Sequence, residues 1–147
     1  MKLQVKDKQH VFKLSRVLEM MSLEVRDKVM NLLKETDQEA FETLEKLIFT
    51  YIDLESVPDK LLQTILYEVD PLKMLAIALA GSSEEFKVRV QSNISERVKM
   101  MLEEEMGTLP DDLSDEQIQE SQNAIVRVAR RLEKEGKIER VKGSNGK

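Results

Sequence analysis

Signals for the start of a helix recur at short intervals, and they restrict the fold of this chain more than any other feature. Three segments, TDQE, SSEE and SDEQ, have the capping-box pattern, in which paired side chains satisfy free backbone N–H groups. These pairs are Thr36 with Glu39, Ser82 with Glu85, and Ser114 with Gln117. Asp70 and Pro71 supply an N-cap residue and a proline suited to the first helical position. The chain is therefore expected to fold as a series of short helices.

Hydrophobic spacing agrees with this expectation, and no segment alternates with a period of two over the length of a strand. The predicted helices cover residues 7–21, 24–35, 37–51, 58–69, 71–80, 83–92, 95–106 and 115–135. Three glycines, Gly81, Gly107 and Gly136, are placed where helices are expected to end. Short helices joined by short turns are typical of stacked helical hairpins, as in armadillo-like solenoids, although no clear repeat confirms this. The expected fold class is all-α.

Residues for catalysis or metal binding are scarce. The chain has no cysteine, which excludes disulfides, thiolate metal sites and a cysteine nucleophile. Its single histidine, His10, has no obvious catalytic partner in the sequence. The acidic clusters 103–105 and 111–115 lack the glycine and the ligand spacing of a calcium loop. We therefore expect no enzyme activity, no catalytic residues, no metal site and no cofactor.

Charge and hydropathy restrict the class of partner. The formal net charge of −5 argues against a general nucleic-acid binder. No apolar run approaches the ~20 residues that span a bilayer, and no apolar signal core follows the N-terminus. A soluble cytoplasmic protein without nucleic-acid partners or direct membrane insertion is therefore expected.

Several short motifs occur in a fixed order. EVD (68–70), ALAGS (78–82), SEE (83–85) and NISER (93–97) are followed by IVRVARRLEKEGKI (125–138). Upstream, VMNLLKETDQEAFETLEKL (29–47) precedes IFTY (48–51). In order and spacing these motifs resemble the C-terminal part of FliG, the rotor protein of the bacterial flagellar motor switch. The resemblance covers about residues 24 to 138.

The resemblance implies an all-α fold in which an armadillo-like helical bundle is followed by a FliG C-terminal-type helical bundle. The expected domains are an armadillo-like segment (1–47), a hinge (48–53), a FliG C-terminal-like domain (54–138) and a flexible tail (139–147). It also implies a rotor (C-ring) component that acts through protein–protein contacts at the cytoplasmic face of the inner membrane, in the flagellar basal body. The implied partners are other rotor and switch proteins and the stator, which faces a charged helix.

Three charged residues align with the functional arginine and paired acids of the family: Arg97, Glu104 and Glu105. Arg97 and Glu104 are seven positions apart, so they share nearly the same helix face. A neighbouring buried stripe is expected at Ile94, Val98, Met101 and Leu102. The resemblance also places the hinge at Ile48, Phe49, Thr50 and Tyr51. The three apolar members, Ile48, Phe49 and Tyr51, are expected to pack between the helical units and to set their angle.

The chain departs from the family at several of these positions. Ala80 replaces a lysine, and Asp112 lies near the place of an arginine. At the hinge, Ile48 and Tyr51 replace Met and Phe. Residues 95–116 contain two basic and eight acidic side chains, so the face is strongly negative. The resemblance implies that the chain has less than half of the family's usual length and lacks the amino-terminal domain and the Glu-His-Pro-Gln segment of the middle domain.

These departures leave several functions open. The chain is a fragment of a divergent rotor protein, or a short paralogue that serves as an assembly or structural adaptor without generating torque. A generic helical regulatory or adaptor domain, similar to the helical domain of magnesium-channel proteins, is a further alternative. In every case a shortened armadillo-like stack leaves an apolar flank. Self-association is therefore expected through exposed residues of the first two helices, among Val17, Leu18, Met21 and Val29.

Overall fold

The computed structural model describes residues 8–139 and Val141, and these ranges contain α-helices and one 3₁₀-helix but no β-strand. The helices are α1 (Lys8–Glu19), α2 (Leu23–Thr36), α3 (Gln38–Leu47), the 3₁₀-helix Tyr51–Ser56, α4 (Asp59–Glu68), α5 (Leu72–Ala80), α6 (Glu84–Ser92), α7 (Glu96–Gly107) and α8 (Asp115–Lys134). The all-α fold class is confirmed.

The chain divides into two compact units. Unit 1 comprises residues 1–50 and 140–147, of which 8–50 and Val141 are described, and unit 2 comprises residues 51–139. The division between Thr50 and Tyr51 falls inside the segment 48–53 that the sequence places at the hinge. The domain boundaries proposed from the sequence stay predictions.

Unit 1 is built from α1, α2 and α3 around one apolar cluster. Its buried members are Val11, Leu18, Leu33, Ala40, Leu44 and Ile48. The expected exposure of Leu18 is wrong, because only 1% of this residue is accessible. Met21 and Val29 are partly buried against the same cluster. Val17 is exposed as expected, and the other large apolar residues exposed in the described part of unit 1 are Met20, Leu23, Val25 and Leu32.

Helix α3 begins one residue later, and ends four residues earlier, than the sequence predicts. Asp37, not Thr36, is its N-cap, and the Asp37 carboxylate accepts a hydrogen bond from the N–H of Ala40 at 3.2 Å. A carboxylate suits this position because it also interacts favourably with the helix dipole. At the other end the backbone becomes extended at Ile48. Each helical residue turns by about 100°, so a continued helix would spread the side chains of residues 48–51 around its axis.

Unit 2 is centred on α5, which is apolar on almost every side. Four of its nine residues are buried: Leu75, Ala76, Ala78 and Leu79. Helices α7 and α8 pack against it. At its end, a Cβ on Gly81 would lie 2.7 Å from Cγ2 of Ile118, so only glycine permits this close approach of α8. The side-chain N–H of Gln122 donates to the carbonyl of Ala78 at 3.0 Å and fixes the same contact.

The predicted helix starts in unit 2 are partly wrong. Helix α5 begins at Leu72 with Pro71 as N-cap, after a cis peptide bond between Asp70 and Pro71. Helix α6 uses Ser83, whose Oγ accepts from Phe86 N–H at 3.1 Å. Ser82 belongs instead to the end of α5, where its Oγ donates to the Ala78 carbonyl at 3.1 Å.

The other end signals of unit 2 are largely confirmed. The capping box at the start of α8 has both reciprocal hydrogen bonds between Ser114 and Gln117. Gly81 is the C-cap of α5, and Gly136 follows α8 with a φ of 75°. Gly107 is instead the last residue of α7, whose C-cap is Thr108.

Candidate partner-binding surface

Helix α7 begins at a serine N-cap and packs against α5 with one fully buried side chain. Ser95 Oγ accepts a hydrogen bond from the N–H of Val98 at 3.1 Å and so starts the helix. Leu102 is the only buried residue of α7. Most of the helix surface is therefore available for contact with another molecule.

The three charged residues selected from the sequence lie on α7. Arg97 and Glu104 are exposed, and Glu105 is half-buried. Within residues 8–139, none of these three side chains makes a hydrogen bond or an ion pair. No internal salt bridge therefore has to break before their charges meet a partner.

The buried stripe expected beside these charges is only partly present. Leu102 is buried, whereas Ile94 and Val98 are half-buried and Met101 is 45% exposed. Ile94, Val98 and Met101 line a groove of about 630 Å³. The prediction of four buried positions was wrong at Met101.

The groove lies between α4, the start of α5 and α7. Its opposite wall contains Leu66, Leu72 and Tyr67, and 87% of Tyr67 is exposed to solvent. Asp70 is the one ionisable carboxylate among its lining residues. Tyr67 and this groove were not selected from the sequence, where a tyrosine on an amphipathic helix looks like an ordinary surface or core residue.

The two positions at which the resemblance implies a family charge are both on the surface of this chain. Ala80 is the last residue of α5 and is exposed. Asp112 lies in the turn between α7 and α8 and is also exposed. Charges at such positions contribute little to stability. An uncharged residue at position 80 and a negative one at position 112 are therefore expected to have little effect on stability.

The four residues expected at the hinge are mostly buried. Exposure is 6% for Ile48, 1% for Phe49 and 9% for Tyr51, while Thr50 is half-buried. The ring of Tyr51 packs edge-on against Phe86, with centroids 5.6 Å apart. Burial raises the pKa of Tyr51 to about 12, and its hydrogen bond with Ser82 opposes this shift.

An arginine that the sequence did not single out organises the start of unit 2. The Arg89 guanidinium donates to the carbonyls of Leu54 and Glu55, at 3.1 and 3.0 Å, and also to the carbonyl of Val57. It also pairs with Asp59, with 3.0 Å between Nη2 and Oδ1. Arg89 thereby joins the end of the 3₁₀-helix and the start of α4 to α6. No local pattern predicts this contact, because its partners lie about thirty positions away.

The described ranges give no support to metal binding or membrane insertion. No group of three or more Asp, Glu or His side chains is placed there to hold a metal ion, and the two acidic clusters do not converge. Among these residues, no helix is long and apolar enough to cross a membrane.

Comparison with known families identifies the chain. The sequence model of the FliG C-terminal domain matches residues 31–139. Flagellar motor switch protein FliG of Thermotoga maritima is 33% identical over 112 residues, which are 76% of this chain and 32% of the relative. The protein of the same name from Aquifex aeolicus is 29% identical over 125 residues, 85% of this chain and 38% of the relative. The chain thus spans about a third of these curated relatives.

Solved structures agree with the sequence comparison. Full-length FliG from Aquifex aeolicus matches with a TM-score of 0.57 and 27% identity, over 95% of this chain and 41% of that one. A fragment of H. pylori FliG (residues 86–343) matches with a TM-score of 0.67, over 88% of this chain and 60% of that one. At 18% identity the second likeness shows the fold alone. The resemblance recognised in the motifs is confirmed, and the chain belongs to the FliG C-terminal domain family.

Proposed function

We propose that this chain is a rotor (C-ring) component of a flagellar motor switch and acts through protein–protein contacts, not as an enzyme. The proposal is supported by its family and by the name "flagellar motor switch protein" that its relatives carry. Its place would then be the flagellar basal body, at the cytoplasmic face of the inner membrane. Its partners would be other rotor and switch proteins and the stator.

The contact surface in this proposal is the charged side of α7. One observation carries it: Arg97, Glu104 and Glu105, aligned with the charges of the family, have no partner within residues 8–139. A negatively charged helix of this kind fits a partner with a positive surface. Exposed ion pairs contribute only about 0–1 kcal/mol each, so affinity would come from the summed field of several charges.

A second role within the same family is a switch or assembly adaptor that does not generate torque. It is favoured by Ala80 and Asp112, which remove one positive charge and reverse another on the surface of unit 2. The two roles differ in their partner: torque requires contact with the stator, whereas an adaptor contacts only rotor and switch proteins.

Self-association is proposed for unit 1. Five large apolar side chains between Val17 and Leu32 are exposed on α1, α2 and the turn between them: Val17, Met20, Leu23, Val25 and Leu32. Large apolar side chains exposed on consecutive elements are candidates for a contact surface between copies of the chain. A second copy of the chain would cover them.

Purification from native cells tests the proposed role. The tagged chain is expected to bring down flagellar switch proteins, and Glu104→Lys with Glu105→Lys should reduce the recovery of any partner that contacts α7. Recovery of stator components would favour the torque role, and recovery of switch proteins alone would favour the adaptor. The absence of every basal-body protein from the purified material would contradict both.

A further inference from the structure

The outer side of α8 carries a line of polar residues, spaced three or four positions apart. They are Glu116, Glu120, Asn123, Arg127, Arg131 and Lys134. Each helical residue turns by about 100°, so these spacings place them all on the same side, which we call the α8 strip. Asn123 is half-buried and the others are exposed. The buried residues Ile125, Ala129 and Leu132 lie on the opposite side, so the α8 strip is turned away from the core of unit 2.

The α8 strip is acidic in its first half and basic in its second half. Glu116 and Glu120 are four positions apart, as are Arg127 and Arg131. Like charges at this spacing repel each other and weaken a helix. The helix dipole favours acids in the first turn and bases in the last, but Glu120 lies five positions after the first residue of α8 and Arg127 seven before the last. The stability of α8 itself therefore does not explain why the charges are separated.

Most charges of the α8 strip have no partner within the described ranges. Four side chains make no hydrogen bond or ion pair there: Glu116, Glu120, Arg127 and Lys134. Arg131 is the exception, because its guanidinium lies 3.5 Å from the carboxylates of Glu68 and Glu135. Glu120 and Arg127 are therefore the central charges of the strip that are available to a second molecule.

We propose that two copies of the chain pair through the α8 strip, with the two helices antiparallel. A two-fold axis through the middle of the strip, between residues 123 and 124, places Glu120 of each copy opposite Arg127 of the other. The same axis places Glu116 opposite Arg131. Opposite charges then face each other along the strip, whereas parallel helices would bring like charges together. The charge pattern of the strip is thus complementary to itself in one orientation only.

This pairing depends on charge and is weak. The α8 strip contains no apolar residue, and exposed ion pairs contribute little individually. Affinity comes from the summed attraction of the pairs and falls as salt screens it. The α8 strip shares no residue with the apolar surface proposed for self-association of unit 1 or with the charged side of α7. The proposal therefore depends on neither of these surfaces and goes beyond the rotor role.

Sedimentation equilibrium at low ionic strength gives the first test. It uses the full chain with Val17→Gln and Leu32→Gln, at exposed positions of unit 1, because these substitutions remove apolar side chains without adding charge. A dimer is expected at high protein concentration, and added salt should dissociate it. A strict monomer at low ionic strength would overturn the proposal. If this background chain unfolds, the parent chain takes its place, since the effects of the charge variants below are measured as differences.

Charge reversal gives the second test. In the same background, Glu120→Lys and Arg127→Glu should each raise the dissociation constant of the dimer at least about tenfold, because each places like charges opposite each other in both halves of the contact. Glu103→Lys is the control, at an exposed acid of α7, and changes the net charge as Glu120→Lys does. A dimer that is equally stable in all three variants would mean that association uses other residues, and would overturn the proposal.

Rescue by a second reversal identifies the partner surface. A chain with both Glu120→Lys and Arg127→Glu exchanges the two charges, so its dimer again has opposite charges face to face. An equimolar mixture of the two single variants restores the same pairs between different chains. Both samples should regain most of the affinity that each single variant loses. Loss of affinity without rescue would mean that the α8 strip contacts a surface other than α8 of a second copy, and this result also overturns the proposal.

Discussion

The phenolic oxygen of Tyr51 lies 2.9 Å from Oγ of Ser82, the residue that directly follows the C-cap of α5. Ser82 Oγ also bonds to the Ala78 carbonyl at 3.1 Å. The first residue of unit 2 is thus tied to the end of its central helix through a buried hydroxyl pair. This geometry has consequences for pH dependence and for stability.

The free energy of unfolding is expected to fall above pH 10. Burial raises the pKa of Tyr51 to about 12 in the fold, against 10.0 for an ordinary tyrosine. The stabilisation is therefore complete below pH 10 and is lost as the pH rises towards 12, by about 2–3 kcal/mol in total. Urea titrations of the parent and of Tyr51→Phe at several pH values measure this difference, and the variant should lack it. In Tyr67→Phe, where Tyr51 is the only tyrosine, phenolate absorbance should report the raised pKa directly. Titration of that absorbance near pH 10 would contradict the prediction.

Phe49→Ala should be among the most destabilising single substitutions in unit 1. The ring is 1% exposed, and truncation of a buried phenylalanine costs about 3–5 kcal/mol through lost burial and a cavity. Ile52→Ala is the control, since 69% of Ile52 is exposed. Thermal melts and urea titrations of both variants give the comparison. Equal stability of Phe49→Ala and the parent would mean that the ring does not contribute to the core.

Arg89→Ala should destabilise unit 2. The substitution removes the donors of the Leu54, Glu55 and Val57 carbonyls, and a buried polar group that loses its partner costs about 1–3 kcal/mol. Arg127→Ala, on the exposed side of α8, removes the same charge and serves as control. Hydrogen exchange should show faster opening of the 3₁₀-helix in Arg89→Ala only. Similar urea midpoints for the two variants would contradict this role.

Glu104→Lys with Glu105→Lys should weaken swimming or partner binding and leave the melting temperature nearly unchanged. Surface substitutions usually change stability by no more than about 0.5 kcal/mol. The control pair is Glu35→Lys with Glu45→Lys, exposed acids of unit 1 that change the net charge equally. Binding should also weaken with added salt, since screening acts over about 8 Å at physiological ionic strength. A variant that folds and swims like the parent would remove the charged side of α7 from the proposal.

The chain should self-associate as its concentration rises. Sedimentation velocity of the parent should show a second, faster species, and Val17→Glu with Leu32→Glu should shift the equilibrium to the monomer by placing charge on the exposed apolar surface. Met100→Glu is the control, at an exposed methionine of unit 2. A strict monomer at high concentration would refute association through unit 1.

Local signals predicted the helices well because capping and hydrophobic spacing act over three or four residues. The reciprocal bonds of Ser114 and Gln117 are an example. The errors arose where contacts with residues distant in the sequence determine where a helix begins or ends. Helix α3 stops at Leu47 beside a segment whose backbone is bound from α1, about 30 positions away. Ser82 contacts Tyr51, which is 31 positions away, and the N-cap of α6 is Ser83.

The candidate surface was predicted to a similar extent. The charges Arg97 and Glu104 follow from helical spacing and the motif, and both are exposed. The prediction for Met101 was wrong because hydrophobic spacing along one helix does not show whether the neighbouring helices cover that face or leave a groove beside it. Tyr67 is prominent only once α4 and α7 are placed side by side.

Leu102 is the one fully buried residue of α7, while the side chains of Arg97, Glu104 and Glu105 make no ion pair within residues 8–139. Mutations can therefore change the sign and number of these charges at little cost in stability. Selection for a stable fold does not remove such mutations. If the charge of the partner's surface changes during evolution, single substitutions on α7 can restore charge complementarity.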